Sequence, residues 1–140
     1  MAGCDGIHES LALVVQNATS DITRAVENVA TAFVSAGGYG SWRMHLQSNA
    51  TIVESFRVAA DRMIAQAKDH DDLHEIRELI NSHLSNVVER TLAERTAYFE
   101  TGNIEPHDRA VLCADLQHDM KRVKSAAITE LLVAQARRAT

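Results

Sequence analysis

Aromatic residues make up only 4% of this 140-residue chain, which argues against a deep aromatic-lined pocket as its organising feature. A single proline, Pro106, leaves nothing to interrupt long helices upstream of it. The two cysteines, Cys4 and Cys113, lack metal-type spacing and any disulfide-rich context, so both are expected to be free thiols of a reducing compartment. No apolar run approaches the ~20 residues of a membrane span, and no basic-then-apolar signal peptide opens the chain. A cytoplasmic protein without a transmembrane segment is the expectation. Basic charge is also short: 14 Lys and Arg face 19 Asp and Glu, for a net charge of −5. Without a basic stripe the chain is poorly suited to nucleic acid, where affinity comes largely from neutralising phosphates.

Apolar residues, many of them Ala, make up 46% of the chain, and they recur with helical spacing. Leu11, Val15, Ala18, Ile22, Ala25, Val29 and Ala32 alternate by four and three, which predicts a first helix from about Asp5 or Ser10 to Val34, with its packed segment over about 10–34. The glycines of Ser35-Ala36-Gly37-Gly38-Tyr39-Gly40 stop it. Ser41 is the expected N-cap of a second helix to about residue 67, with Trp42 as an end-of-core anchor. Leu46, Asn49, Val53, Phe56, Ala60, Met63 and Ala67 form its stripe. Asp72-Leu73-His74-Glu75 has the form of a capping box and opens a third helix over about 72–99, with the stripe Leu73, Ile76, Ile80, Leu84, Val88 and Leu92. Thr101-Gly102-Asn103 ends it, and Pro106 stands at the first turn of a fourth helix over about 106–137. Its stripe is Leu112, Leu116, Met120, Val123, Ala127, Leu131 and Ala134, broadened by Ile128 and Leu132. The expected architecture is therefore all-α: one domain of four long amphipathic helices, as an antiparallel helical bundle or coiled-coil-like hairpins.

Candidate chemistry is sparse. Asp71-Asp72-Leu73-His74 and Asp115-Leu116-Gln117-His118 each place a carboxylate three residues before a His, as di-iron bundles do. However, His118 lies about 160° and Asp115 about 100° around the helix from Leu116, away from the core. His70 and His74, four apart, are the remaining weak candidates for a surface metal, and no metal or other cofactor is expected. Ser82-His83 is adjacent only in sequence, and long helices offer no elbow to expose a nucleophile. Arg57 with Asp61, and Arg90 with Glu94, are expected as four-apart pairs on solvated faces. Asn49, polar on an apolar seam, is expected to set register or oligomer state.

The run Gln47-Ser48-Asn49-Ala50, the helix around Phe56, and Ala67-Lys68-Asp69 leading into Asp72-Leu73-His74-Glu75-Ile76 resemble the phasin family, over about residues 41–100. Phasins are helical proteins that coat bacterial polyhydroxyalkanoate storage granules. The resemblance implies a non-enzymatic coat or scaffold protein that self-associates and lays apolar helix faces on a granule, with the granule surface and further copies of itself as partners. Trp42, Asn49, Phe56, Met63, Ile128 and Leu132 are the expected interaction residues. In the fourth helix, Asp108-Arg109-Ala110-Val111-Leu112-Cys113-Ala114 followed by Asp119 is similar to the last helices of the ligand-sensing domain of GntR-type regulators, although that family has His where Asp108 stands. It implies the alternative, a small-molecule or metal-sensing bundle.

Overall fold

The computed structural model describes residues 2–68, 70, 73–102 and 104–139, with the side chains of 2–5, 73 and 139 left aside. They form four helices, α1 (Ala2–Ala36), α2 (Trp42–Ala67), α3 (Leu73–Thr101) and α4 (Pro106–Ala139), with no strand among the described residues. The all-α bundle read from periodicity is what the chain builds. No helix is long and apolar enough to cross a membrane, among the described residues.

The helix ends follow from local chemistry. Gly37 adopts φ +80°, Gly37 N–H donates to the Val34 carbonyl at 3.2 Å, and Gly38 N–H donates to the Phe33 carbonyl at 2.8 Å. This pair of bonds satisfies two of the orphan carbonyls of α1 and requires a residue that enters the left-handed region freely. Ser41 then caps α2, its hydroxyl accepting from Met44 N–H at 3.2 Å. Pro106 is the first helical residue of α4, where its missing N–H costs nothing. The capping box at Asp72 and the stop at Asn103 involve residues outside those described, as does the Cys4 side chain.

α1 starts earlier than its stripe implied. The same four–three spacing runs back from Leu11 to Ile7, which is buried, and Ser10 lies inside the helix with its hydroxyl donating to the Gln66 side chain of α2. The packing order also departs from a simple hairpin series. α2 packs against α1 on one side and α4 on the other, α3 packs against α4 and α1, and α2 and α3 lie across the bundle diagonal. α2 can serve two neighbours because eleven of its residues are buried, from Met44 to Ala67, far more than one seam would need. Sequence neighbours run antiparallel, as Arg62 to Asp21 at 3.8 Å and Lys124 to Ser85 at 3.2 Å register. α2 and α4 are parallel: Asn49 near the start of one bonds the Leu112 carbonyl near the start of the other, and Arg138 near the end of α4 donates to the Lys68 carbonyl at 3.3 Å and the His70 carbonyl at 2.8 Å.

The contiguous apolar core runs from Ile7, Ala67, Ile76 and Leu131 through Phe56, Met63 and Ile80 as far as Ile22, Ile52, Val88 and Leu116. Beyond that level the interior mixes polar with apolar side chains.

Candidate functional site

Where α1 and α3 end and α2 and α4 begin, the buried residues include His45, Ser48 and Asn49 of α2 and Thr91 and Arg95 of α3. Four buried apolar residues at this end, Val29, Met44, Phe99 and Leu112, stand apart from the main core cluster. Asn49 Nδ2 donates to the Leu112 carbonyl at 3.2 Å, while its Oδ1 is buried without a partner.

Arg95 is the least expected member. It is 6% exposed, and its Nε and Nη2 are buried with no hydrogen-bond partner. Its guanidinium instead lies over two rings of its own helix, 4.8 Å from the Tyr98 centroid and 4.7 Å from that of Phe99. Cation–π contact of this kind is worth about 0.5–2 kcal/mol, less than a buried cation loses on leaving water. Burial pushes the Arg95 pKa down, against the pull of Tyr98 and Cys113, yet a guanidinium stays charged in proteins. The described residues thus supply this charge with no carboxylate.

His45 packs edge-on against Phe99, with centroids 5.5 Å apart, and against Tyr98 at 6.2 Å. Neither ring nitrogen has a hydrogen-bond partner in good geometry. Burial holds the imidazole below its ordinary pKa, the Arg95 charge acts in the same direction, and the Gly40 backbone pulls weakly against both. Tyr39 and Tyr98 approach each other through their hydroxyls at 3.4 Å above this layer.

A cavity of about 290 Å³ opens beside the polar layer between α1, α2 and α3. Buried Ile22, Met44, Ser48, Ile52, Thr91 and Arg95 form its floor, and its rim carries Glu27, Tyr39, Glu94 and Tyr98. Ser48, Thr91 and Arg95 are thus the buried polar residues of a hollow whose other buried lining, Ile22, Met44 and Ile52, is apolar. A larger groove of about 540 Å³ between α2 and α4 is lined by Arg57, Asp61, Asp119, Arg122 and Glu130 over Val53, Ala60, Val123 and Ala127. Its five charged side chains are exposed and of both signs, and none of its lining residues carries a buried polar atom without a partner.

The expected interaction residues line neither the cavity nor the groove. Phe56 and Met63 are fully buried in the chain's own core, Asn49 bonds within the chain, and Ile128 is half-buried against the core. Trp42, expected to anchor the end of the core, is 43% exposed, and Leu132 is 40% exposed. Leu46, expected on the seam, is 45% exposed because the seam passes through His45 one position earlier. Arg57 pairs with Glu54 at 3.1 Å rather than with Asp61, whereas Arg90 pairs with Glu94 at 3.3 Å as expected. His74 is exposed and meets Arg77 at 3.0 Å, and the His70 carbonyl accepts from Arg138. No three His, Cys, Asp or Glu side chains gather to hold a metal ion, among the described residues. Cys113 is half-buried beside the Thr96 hydroxyl at 3.6 Å.

Arg95 and His45 were missed although a signal existed. Continuing the third stripe from Leu92 by three and then four lands on Arg95 and Phe99, and stepping back four from Asn49 lands on His45. No family model, curated protein or solved structure matches the chain.

Proposed function

We propose that this chain is a ligand-binding helical bundle domain, a sensor or carrier that takes one small molecule between α1, α2 and α3. The observation that carries this reading is the cavity with Arg95 in its floor, a buried cation that the described residues leave without a counter-charge. Groups of this kind are costly to the fold and concentrate at binding sites, where a bound group completes them. The cavity volume lies at the lower bound of small-molecule sites, roughly 300–1,000 Å³. Thermal melts of the purified protein against a panel of small organic acids, amines and neutral solutes test it. A ligand at a hundred times its Kd adds about 2.7 kcal/mol of stability, which moves the melting temperature of a domain this size by several degrees. A panel that leaves the melting temperature unmoved throughout overturns the reading.

A second reading, the self-associating granule coat, rests on a different observation. Trp42 and Leu46 stand exposed one turn apart on α2, and with Val58 they are the large apolar side chains that this helix exposes. Fluorescent fusions that collect on polyhydroxyalkanoate granules, together with an oligomer in light scattering, would support it. A monomer that remains diffuse in granule-containing cells would remove it.

A further inference from the structure

We infer that the cavity between α1, α2 and α3 selects a small monocarboxylate with an apolar body, the carboxylate received by Arg95 with help from Ser48 and Thr91. This deepens the ligand-binding reading above and rests on it. Three features of the site narrow the chemistry.

The first is the cation itself. Arg95 is 6% exposed and its Nε and Nη2 have no acceptor. A guanidinium offers a planar fork of donors that matches the two oxygens of a carboxylate, and a neutral ligand would leave the charge as uncompensated as before. In the ligand-free bundle the guanidinium is held on Tyr98 and Phe99 with Nε and Nη2 closed off, so a carboxylate entering the cavity has to draw it away from the rings.

The second is the count of charges. Among the described residues the floor holds one cation, while the rim carries two carboxylates, Glu27 and Glu94, of which only Glu94 is paired, with Arg90. One negative charge on a ligand is balanced at the floor. A second, as in a dicarboxylate or a phosphate ester, would be driven against the rim glutamates with nothing to offset it.

The third is the remaining wall. Ile22, Val26, Met44 and Ile52 are apolar, and Ser48 and Thr91, on facing helices, are the hydroxyls of the floor that can donate to a carboxylate already held by Arg95. An aliphatic or aromatic body of a few carbons would cover these walls.

The test uses three probes of matched length: hexanoate, its neutral amide and the dicarboxylate adipate. Binding is read by calorimetry and by amide shifts in heteronuclear NMR of the full chain. The inference expects saturable hexanoate binding with shifts at Ser48, Thr91 and Arg95, and at least tenfold weaker binding of both the amide and adipate. Arg95→Met should reduce hexanoate affinity tenfold or more and leave amide affinity unchanged, with the helical signal retained. Arg95→Lys should fall between the two, and Ser48→Leu, which fills the floor, should abolish binding of both probes. Equal affinity for acid and amide, or an Arg95→Met variant that binds hexanoate as well as the parent, overturns the carboxylate assignment while leaving the pocket in use. Absence of saturable shifts at the pocket with all three probes overturns the carboxylate assignment, and the ligand-binding reading falls with it when the melting panel of acids, amines and neutral solutes is silent too.

Discussion

At the scale of single residues, the polar layer places function and stability in opposition. Arg95 is kept in the interior with two nitrogens unsatisfied, so an apolar side chain of similar length should suit the empty bundle better. Arg95→Met is expected to raise the stability of the ligand-free protein by about 1 kcal/mol, net of the lost ring contacts, which thermal or urea unfolding will register. A drop in stability would mean that the stacking on Tyr98 and Phe99 outweighs the burial of the charge. His45 gives the layer a pH dependence. Its folded pKa lies below the ordinary value of 6.5, because of burial first and Arg95 second, so the unfolded chain takes up the proton more readily than the native one. The stability that comes from a neutral His45 is therefore fully present above about pH 6.5 and is lost as pH falls through the lower folded value. His83, depressed by burial and by His8, adds in the same sense. The stability difference between pH 7.5 and 5.5 should shrink in His45→Phe, since His83 and the carboxylates remain in both proteins.

At the scale of elements, the connections are specified more sharply than the faces. Gly37 at φ +80°, with the bonds from Gly37 and Gly38 to the Val34 and Phe33 carbonyls, fixes the end of α1, and Gly37→Ala should cost about 1–2 kcal/mol in urea unfolding because an L side chain is strained at that φ although the space around it is open. These signals are local, which is why the number of helices, the Ser41 cap and the Pro106 start could be read directly from the residues. The faces were legible only where they were apolar. Phe56, Met63, Ile76, Ile80, Leu84, Leu112 and Leu116 fall on their stripes and are buried. A stripe drawn through apolar residues alone stops at Leu92 and slides from His45 to Leu46, because hydrophobic spacing cannot register a polar side chain whose burial is set by tertiary contacts. The partnership of α2 with α4, rather than with the helix that follows it, was equally hidden. It depends on how two broad faces meet in space, and the brevity of the 68–72 connection suggested the opposite.

At the scale of the molecule, the bundle is closed around its seams. Met63 of α2 is fully buried in the main core, so Met63→Ala should destabilise the free protein by roughly 2–5 kcal/mol in equilibrium unfolding. A near-neutral result would point to helices that part in solution, the arrangement an opening granule coat would require. The uneven interior has a kinetic counterpart. From Ile7 and Ala67 to Ile52 and Val88 the helices share one continuous apolar cluster, and past that level they are joined by polar groups that are only partly satisfied and flanked by a hollow. Local opening should therefore begin at the end that holds Arg95. Amide protons of residues 45–49 and 91–99 are expected to exchange with deuterium faster than those of 56–64 and 80–88, through fluctuations that leave the far half of the bundle intact. The bundle would then breathe from one end, and a ligand seated there would slow the exchange of that end alone.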